Sequence, residues 1–438
     1  TEMQPGAYGL RFVNATFRKV PALWNVLSEA GKRVCILGVP GTYPPEPVNG
    51  IMVAGFDSPV CTRVDASFVY HRELYHRVRN WRFADFQESH IGAGWHAYAL
   101  RRLLEGIESK EAIACDLLQR EPWDFAMIVF GESDTVAHHF WMFHDPLAPR
   151  HRPGFETAVR QVYQRLDRAV GTLIDAFGPA TVLVVSDHGF GGAGTGVFHI
   201  NNWLAEHGYL RFAKQPANLL KNLALRCAPS RWQGLLFRRF RAAATRLESN
   251  ARFGGIDWAA TRAWSEELNY FPSIRVNLKS REPTGQVEQA CYDAFCDMLC
   301  QDLEASEYIH KAWRRGDLYH GDYVTNAPDI VLELELENGY SHTCLRSRGG
   351  PAFRRITPAE HVGGKEHGMN GTHRPDGTLI LSEPVTCSRP NIAAIAPTVL
   401  AELGVPGLPM DEASLLSPGR DTVPGSAQPP ESDYTPAE

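Results

Sequence analysis

No apolar run in this sequence reaches the roughly 18 residues that a membrane-spanning helix needs. Residues 1–9 contain no basic stretch leading into an apolar one, so no signal peptide is visible there. There is no Cys-x-x-Cys pair, and the 9 cysteines (35, 61, 115, 227, 291, 296, 300, 344 and 387) are scattered and odd in number. That pattern favours reduced thiols in a cytosolic protein over a disulfide framework. Cys291, Cys296 and Cys300 share an expected helix and are read as buried packing rather than as a metal site. Charge of one sign is also lacking: 44 basic against 50 acidic side chains give a net −6, and no nucleic-acid binding is expected. Internal repeats are absent. The two Asn-x-Thr sequons, at Asn14 and Asn370, are read as chance matches.

What is present is ordinary globular material, 438 residues long, 44% hydrophobic and 21% charged. Such a length fits one large domain with an insertion, or two to three domains. Short apolar runs at 33–39, 125–130, 181–185, 329–334 and 378–381 have strand character, and amphipathic stretches such as 22–30 and 155–177 separate some of them. Buried strands alternating with helices predict an α/β fold, with a mainly parallel central sheet flanked by helices on both faces.

Residues 202–261 lack strand signals and are rich in Leu, Ala and Arg, so they are expected to form a helical insertion or cap. The stretch 232–241 (WQGLLFRRFR) would give the cap a basic face, either simply solvated or available to an anionic substrate, a membrane surface or a lipid phosphate. The core is expected in two parts, 1–201 and 262–416, with an extended or disordered tail over 417–438.

Three constellations carry chemistry. The stretch 131–138 (GESDTVAH) follows the apolar run 125–130; a helix starting near Ser133 would place Asp134 and His138 one turn apart on one face. A carboxylate and an imidazole so placed suit a divalent ion, although Asp at a helix start is also an ordinary N-cap. The stretch 184–192 (VVSDHGFGG) puts Asp187 and His188 at the end of a strand and the start of a glycine-rich loop. A carboxylate buried there would need a cation or hydrogen bonds; the alternative is a turn cap beside a satisfied histidine. The stretch 366–377 (EHGMNGTHRPDG) reads as a polar loop carrying His373 before the strand at 378–381. Together Asp134, His138, Asp187, His188 and His373 are nearly enough for two divalent ions about 3.5–4 Å apart, the arrangement that clamps both oxygens of an in-line phosphoryl displacement.

These stretches, with 22–33 (ALWNVLSEAGKR), 43–50 (YPPEPVNG), 318–323 (LYHGDY) and 326–329 (NAPD), occur in the order found in a known family. The chain resembles the type I phosphodiesterase/nucleotide pyrophosphatase branch of the alkaline phosphatase superfamily, in particular its bacterial and archaeal phosphohydrolase or phosphomutase members. The resemblance implies an alkaline-phosphatase-like core. It implies that Asp134, His138 and His373 hold one metal ion, and that Asp187 and His188 hold the other. Zn²⁺ is the first expectation, with Mn²⁺ or Mg²⁺ as alternatives. The Thr or Ser nucleophile and one further Asp ligand of such enzymes are expected upstream of Thr1, so this stretch alone is expected to turn over weakly or not at all.

The implied activity is hydrolysis of small phosphate esters through a covalent phospho-Thr or phospho-Ser intermediate. A phosphomutase of the same superfamily is the alternative within enzymes, and a metal-binding relative that does not turn over is the alternative outside them. A sulfatase is disfavoured because no cysteine lies in a Cys-x-Pro-x-Arg setting.

Overall fold

The computed structural model describes residues 2–4, 6–55, 64–84, 86, 91–213, 249, 252–347, 349–364, 368–385 and 387–416. The chain divides into two compact units: residues 1–180 with 188–377, and residues 181–187 with 378–438. The basic stretch 232–241, most of the expected cap and the whole expected tail lie outside the described residues.

In the larger unit, strands Val34–Leu37, Gly50–Val53 and Phe125–Ile128 form a parallel sheet, with Val69–Tyr70 added antiparallel at one edge. Every residue of Val34–Leu37 and Gly50–Val53 is buried, which is what an unbroken apolar run requires of a strand covered on both faces. Cys35, Leu37, Ile51 and Val53 pack with Ile113, Leu117 and Leu173 from the helices Trp95–Leu118 and Ala158–Phe177. The helix Leu23–Glu29 packs against Val34–Leu37 through the short connection between them.

The chain leaves strand Phe125–Ile128 and enters the helix Glu132–His144 almost at once. Val136, Phe140 and Phe143 of this helix join Ala99, Leu103, Ile107, Val159 and Val162 in a layer of three helices. Asp134 and His138 are outside that cluster.

A second sheet is centred on Gly189–Phe198, paired parallel with Tyr340–Cys344 and antiparallel with Phe353–Arg355 and Gly371–Arg374. The glycine-rich loop expected after His188 is therefore a strand, as is the 371–374 portion of the expected polar loop. Packing explains the difference: a Cβ on Gly192 would sit 2.7 Å from the Tyr340 ring and 2.9 Å from Trp141 Nε1. These glycines let neighbours close over a strand; they do not unwind it.

A third sheet, wholly antiparallel, runs in the order Ile309–Arg314, Ile330–Leu334, Ser273–Val276 and Ala263–Trp264 and carries the helix Tyr292–Glu304. Buried Asp329 ties it together, accepting from Arg281 (2.6 and 2.8 Å), the Val276 amide (2.7 Å) and Tyr292 (2.7 Å). The fold class is α/β, as expected, but parallel pairing is concentrated in the first sheet. A short apolar run reports burial on both faces, not the direction of its neighbour.

In the smaller unit, Leu183–Val185 pairs antiparallel with Leu379–Leu381, followed by the helix Ile395–Glu402. Among the described residues the cysteines 35, 115, 291, 296, 300, 344 and 387 are free thiols, and no helix is long and apolar enough to cross a membrane.

Candidate metal centre

Two contacts at the start of the helix Glu132–His144 set its position. Glu132, almost wholly buried, pairs with buried Lys110 of the helix Trp95–Leu118 (Nζ–Oε1 2.9 Å). Thr135 Oγ1 donates to the Ala84 carbonyl. With that turn fixed, Asp134 and His138 lie on one face, Oδ1 to Nε2 3.3 Å. The helix dipole also favours an anionic side chain in this first turn.

The second sheet brings the other rings. Strand Gly371–Arg374 docks on the helix: the Asn370 amide donates to the His138 carbonyl (2.9 Å), and His138 Nδ1 donates to the Gly371 carbonyl (2.8 Å). Register then places His373 beside Phe190. His188, immediately before strand Gly189–Phe198, stacks on His373 with ring centroids 3.6 Å apart. His373 Nε2 lies 3.4 Å from Asp134 Oδ1 and 3.1 Å from His138 Nε2; His188 Nε2 lies 3.7 Å from the same carboxylate oxygen.

Three imidazole nitrogens thus surround one oxygen, and that oxygen is buried without a hydrogen bond. A carbonyl can only accept, so Nδ1 of His138 carries its proton and leaves a lone pair on Nε2 when the ring is neutral. His188 repeats the arrangement, its Nδ1 donating to the Gly189 carbonyl at 3.0 Å. Burial pushes the Asp134 carboxyl upward, but His138 and His373, when they present protons to it, outweigh burial and hold the group well below the usual carboxylate range. An ionised oxygen and converging imidazole lone pairs are mutually unfavourable unless a proton or a cation lies between them. Backbone carbonyls orienting the far nitrogens are the usual outer support of a metal-binding histidine. The residues present therefore fit a divalent ion with nitrogen and oxygen ligands. Ligand atoms of Asp134, His188 and His373 all lie within 4.8 Å of one another.

Of the five residues singled out in the sequence, Asp134, His138, His188 and His373 are brought together here. Asp187 is exposed and belongs to the segment 181–187 of the smaller unit. Glu366 and His367 lie outside the described residues. Two aromatic walls went unread. Phe190 meets His138 edge-on at 4.7 Å and His373 at 5.7 Å. Tyr270 lies nearly parallel to His373 at 4.8 Å and also meets His138 at 4.8 Å. Phe190 would follow from reading 189–198 as a strand; nothing local marks Tyr270.

The family model described as type I phosphodiesterase / nucleotide pyrophosphatase matches residues 9–373, a span that ends on the last of these four side chains. No curated protein matches the chain. Solved structures of phosphonoacetate hydrolase from Sinorhizobium meliloti 1021, one with phosphonoformate and one with phosphonoacetate, share 13% identity over 90% of this chain and 75% of theirs, with TM-scores of 0.44 and 0.41.

Proposed function

Because the chain belongs to the type I phosphodiesterase / nucleotide pyrophosphatase family, and so to the hydrolases of phosphoric esters, we propose that it hydrolyses small phosphate esters at a metal centre built by Asp134, His138, His188 and His373. The observation that carries this reading is the buried Oδ1 of Asp134, without a hydrogen bond and facing three imidazole nitrogens. A bound divalent ion would neutralise charge on the phosphoryl oxygens and lower the pKa of an attacking group. Zn²⁺ suits the nitrogen-rich ligand set, and Mn²⁺ or Mg²⁺ are alternatives.

The residues of the chain divide the remaining work. Asp134 supplies anionic charge, His138 and His188 present oriented Nε2 lone pairs, and Phe190 walls their rings on one side. A second ion with Asp187 among its ligands, and a covalent phospho-Thr or phospho-Ser step, are the finer parts of the proposal and rest on the family resemblance alone.

Metal uptake tests the core of the reading. Equilibrated with Zn²⁺ or Mn²⁺ and freed of excess, the protein should retain at least one ion per chain. His373→Ala should weaken that binding by roughly 100-fold or more, since even removal of an outer-shell partner costs 10–100-fold. Such hydrolysis of p-nitrophenyl phosphate and bis-p-nitrophenyl phosphate as the chain supports should fall on chelation and return with metal. Metal far below one ion per chain, or measurable hydrolysis that persists undiminished under chelation, would overturn the proposal.

A further inference from the structure

Next to the candidate ligands is a segment that the metal reading does not use, residues 265–271. It follows strand Ala263–Trp264 of the third sheet and reaches the centre from there. Its base is firmly held. Glu267 has φ +50°, a left-handed backbone that a side-chain-bearing residue adopts only when its surroundings enforce it. The enforcement is visible: the buried Glu267 carboxylate accepts from the Asn201 amide (2.9 Å), the Ser347 amide (2.6 Å) and the Ser347 hydroxyl. Beside it, Glu266 pairs with buried Arg275 (3.3 Å), and its carbonyl accepts from Arg252 (2.6 Å).

From this base the chain makes a tight turn closed by pairing of Leu268 with Phe271, with Asn269 and Tyr270 at the tip. Tyr270 packs on His373 and His138. The Asn269 amide forms no hydrogen bond among the described residues, and its Nδ2 is buried. A buried donor left unmatched in the free protein is costly, and the cost is recovered when a ligand supplies the acceptor.

We propose that this turn is the substrate-facing wall of the metal centre: Asn269 donates a hydrogen bond from Nδ2 to an oxygen of the bound phosphate ester, and Tyr270 is a positioning residue for His373. The inference rests on the phosphate-ester reading above and adds to it the group that grips the substrate. Glycine would be the ordinary choice for a strained position such as 267. A glutamate held by three hydrogen bonds makes the approach rigid, so that the amide is positioned before the ligand arrives.

The test is titration calorimetry on the whole chain, first with Zn²⁺ and then, on the loaded protein, with inorganic phosphate at pH 8. Asn269→Ala should leave Zn²⁺ stoichiometry and affinity within two-fold of wild type and weaken phosphate about 10-fold or more, the range for a hydrogen bond to a charged acceptor. Asn269→Asp keeps the shape, replaces the donor with a negative charge and should weaken phosphate further. Tyr270→Ala should instead weaken Zn²⁺ itself, and Tyr270→Phe should restore it.

Wild-type phosphate affinity in either Asn269 variant overturns the assignment to Asn269. If Asn269→Ala proves unstable, the isosteric Asp variant decides alone. Unchanged Zn²⁺ affinity in Tyr270→Ala overturns the positioning role. Failure of wild-type protein to take up Zn²⁺ would instead remove the metal centre, and this inference with it.

Discussion

At Asp134, one face of a carboxylate is open to solvent while the oxygen facing the histidines is buried and makes no hydrogen bond. The histidines around it differ in kind from those that only fill space. His138 and His188 each spend Nδ1 on a backbone carbonyl and keep Nε2 for the centre. His96 instead sits edge-on to Phe140 and Phe143, with Nε2 buried and unmatched. Burial, reinforced by the charges of His139 and Arg152, holds this ring down to about 4 against an ordinary 6.5. The folded chain therefore leaves His96 neutral where the unfolded chain takes up a proton. The contribution of His96 to stability is intact above pH 6.5 and is lost as pH falls from there towards 4. Thermal unfolding of His96→Phe should show a flatter pH dependence over that interval than wild type; identical slopes would show that His96 is not responsible.

Between elements, the decisive junction is the helix Glu132–His144 against strand Gly371–Arg374. Gly371 stands where a Cβ would lie 2.6 Å from the Ala137 carbonyl and 2.6 Å from the Phe190 ring. Gly371→Ala should force helix and strand apart, costing about 1–3 kcal/mol as an overpacked contact, and should weaken metal binding with it. Gly194→Ala, in the same sheet, is the control. Its Cβ would meet nothing closer than 3.5 Å, so urea unfolding should show little change. Equal destabilisation by the two would mean that the close approach at Gly371 is unimportant. Arg150 secures the same junction from behind. Wholly buried, it donates to the carbonyls of Gly194 (2.7 Å), Gly368 (2.9 Å) and Met369 (3.0 Å), so strand Gly189–Phe198 and the segment leading into strand Gly371–Arg374 share one guanidinium. Burial lowers its pKa to about 10, which still leaves it charged at neutral pH.

At the scale of the larger unit, the centre joins distant parts of the chain; His138 and His373 are 235 positions apart. An ion bound only by the folded chain stabilises the fold by mass action, by about 2.7 kcal/mol at 100 times its dissociation constant. Zn²⁺ at such an excess should raise the unfolding temperature, chelator should reverse the rise, and His373→Ala should abolish it. A midpoint unmoved by Zn²⁺ in wild type would contradict a folded-state site.

The sequence by itself determined the α/β class, because an apolar run such as 33–39 leaves no solvent-facing side and must lie within a covered sheet. It also determined that Asp134 and His138 share a helix face, since one turn of helix is a local property. Strand direction was not written there: Ile330–Leu334 has the composition of a parallel strand and pairs antiparallel on both sides. The glycines of 189–198 misled for a related reason. Locally they signal a loop, and only the rings of Tyr340 and Trp141 pressing on the strand show what they are for. Which side chains meet was likewise decided by packing. His188 lies on His373 through the pairing of strand Gly189–Phe198 with Gly371–Arg374, and Tyr270 arrives from another sheet altogether. Periodicity and capping act over a few residues, whereas a metal centre needs atoms within a few ångströms that the chain alone leaves far apart.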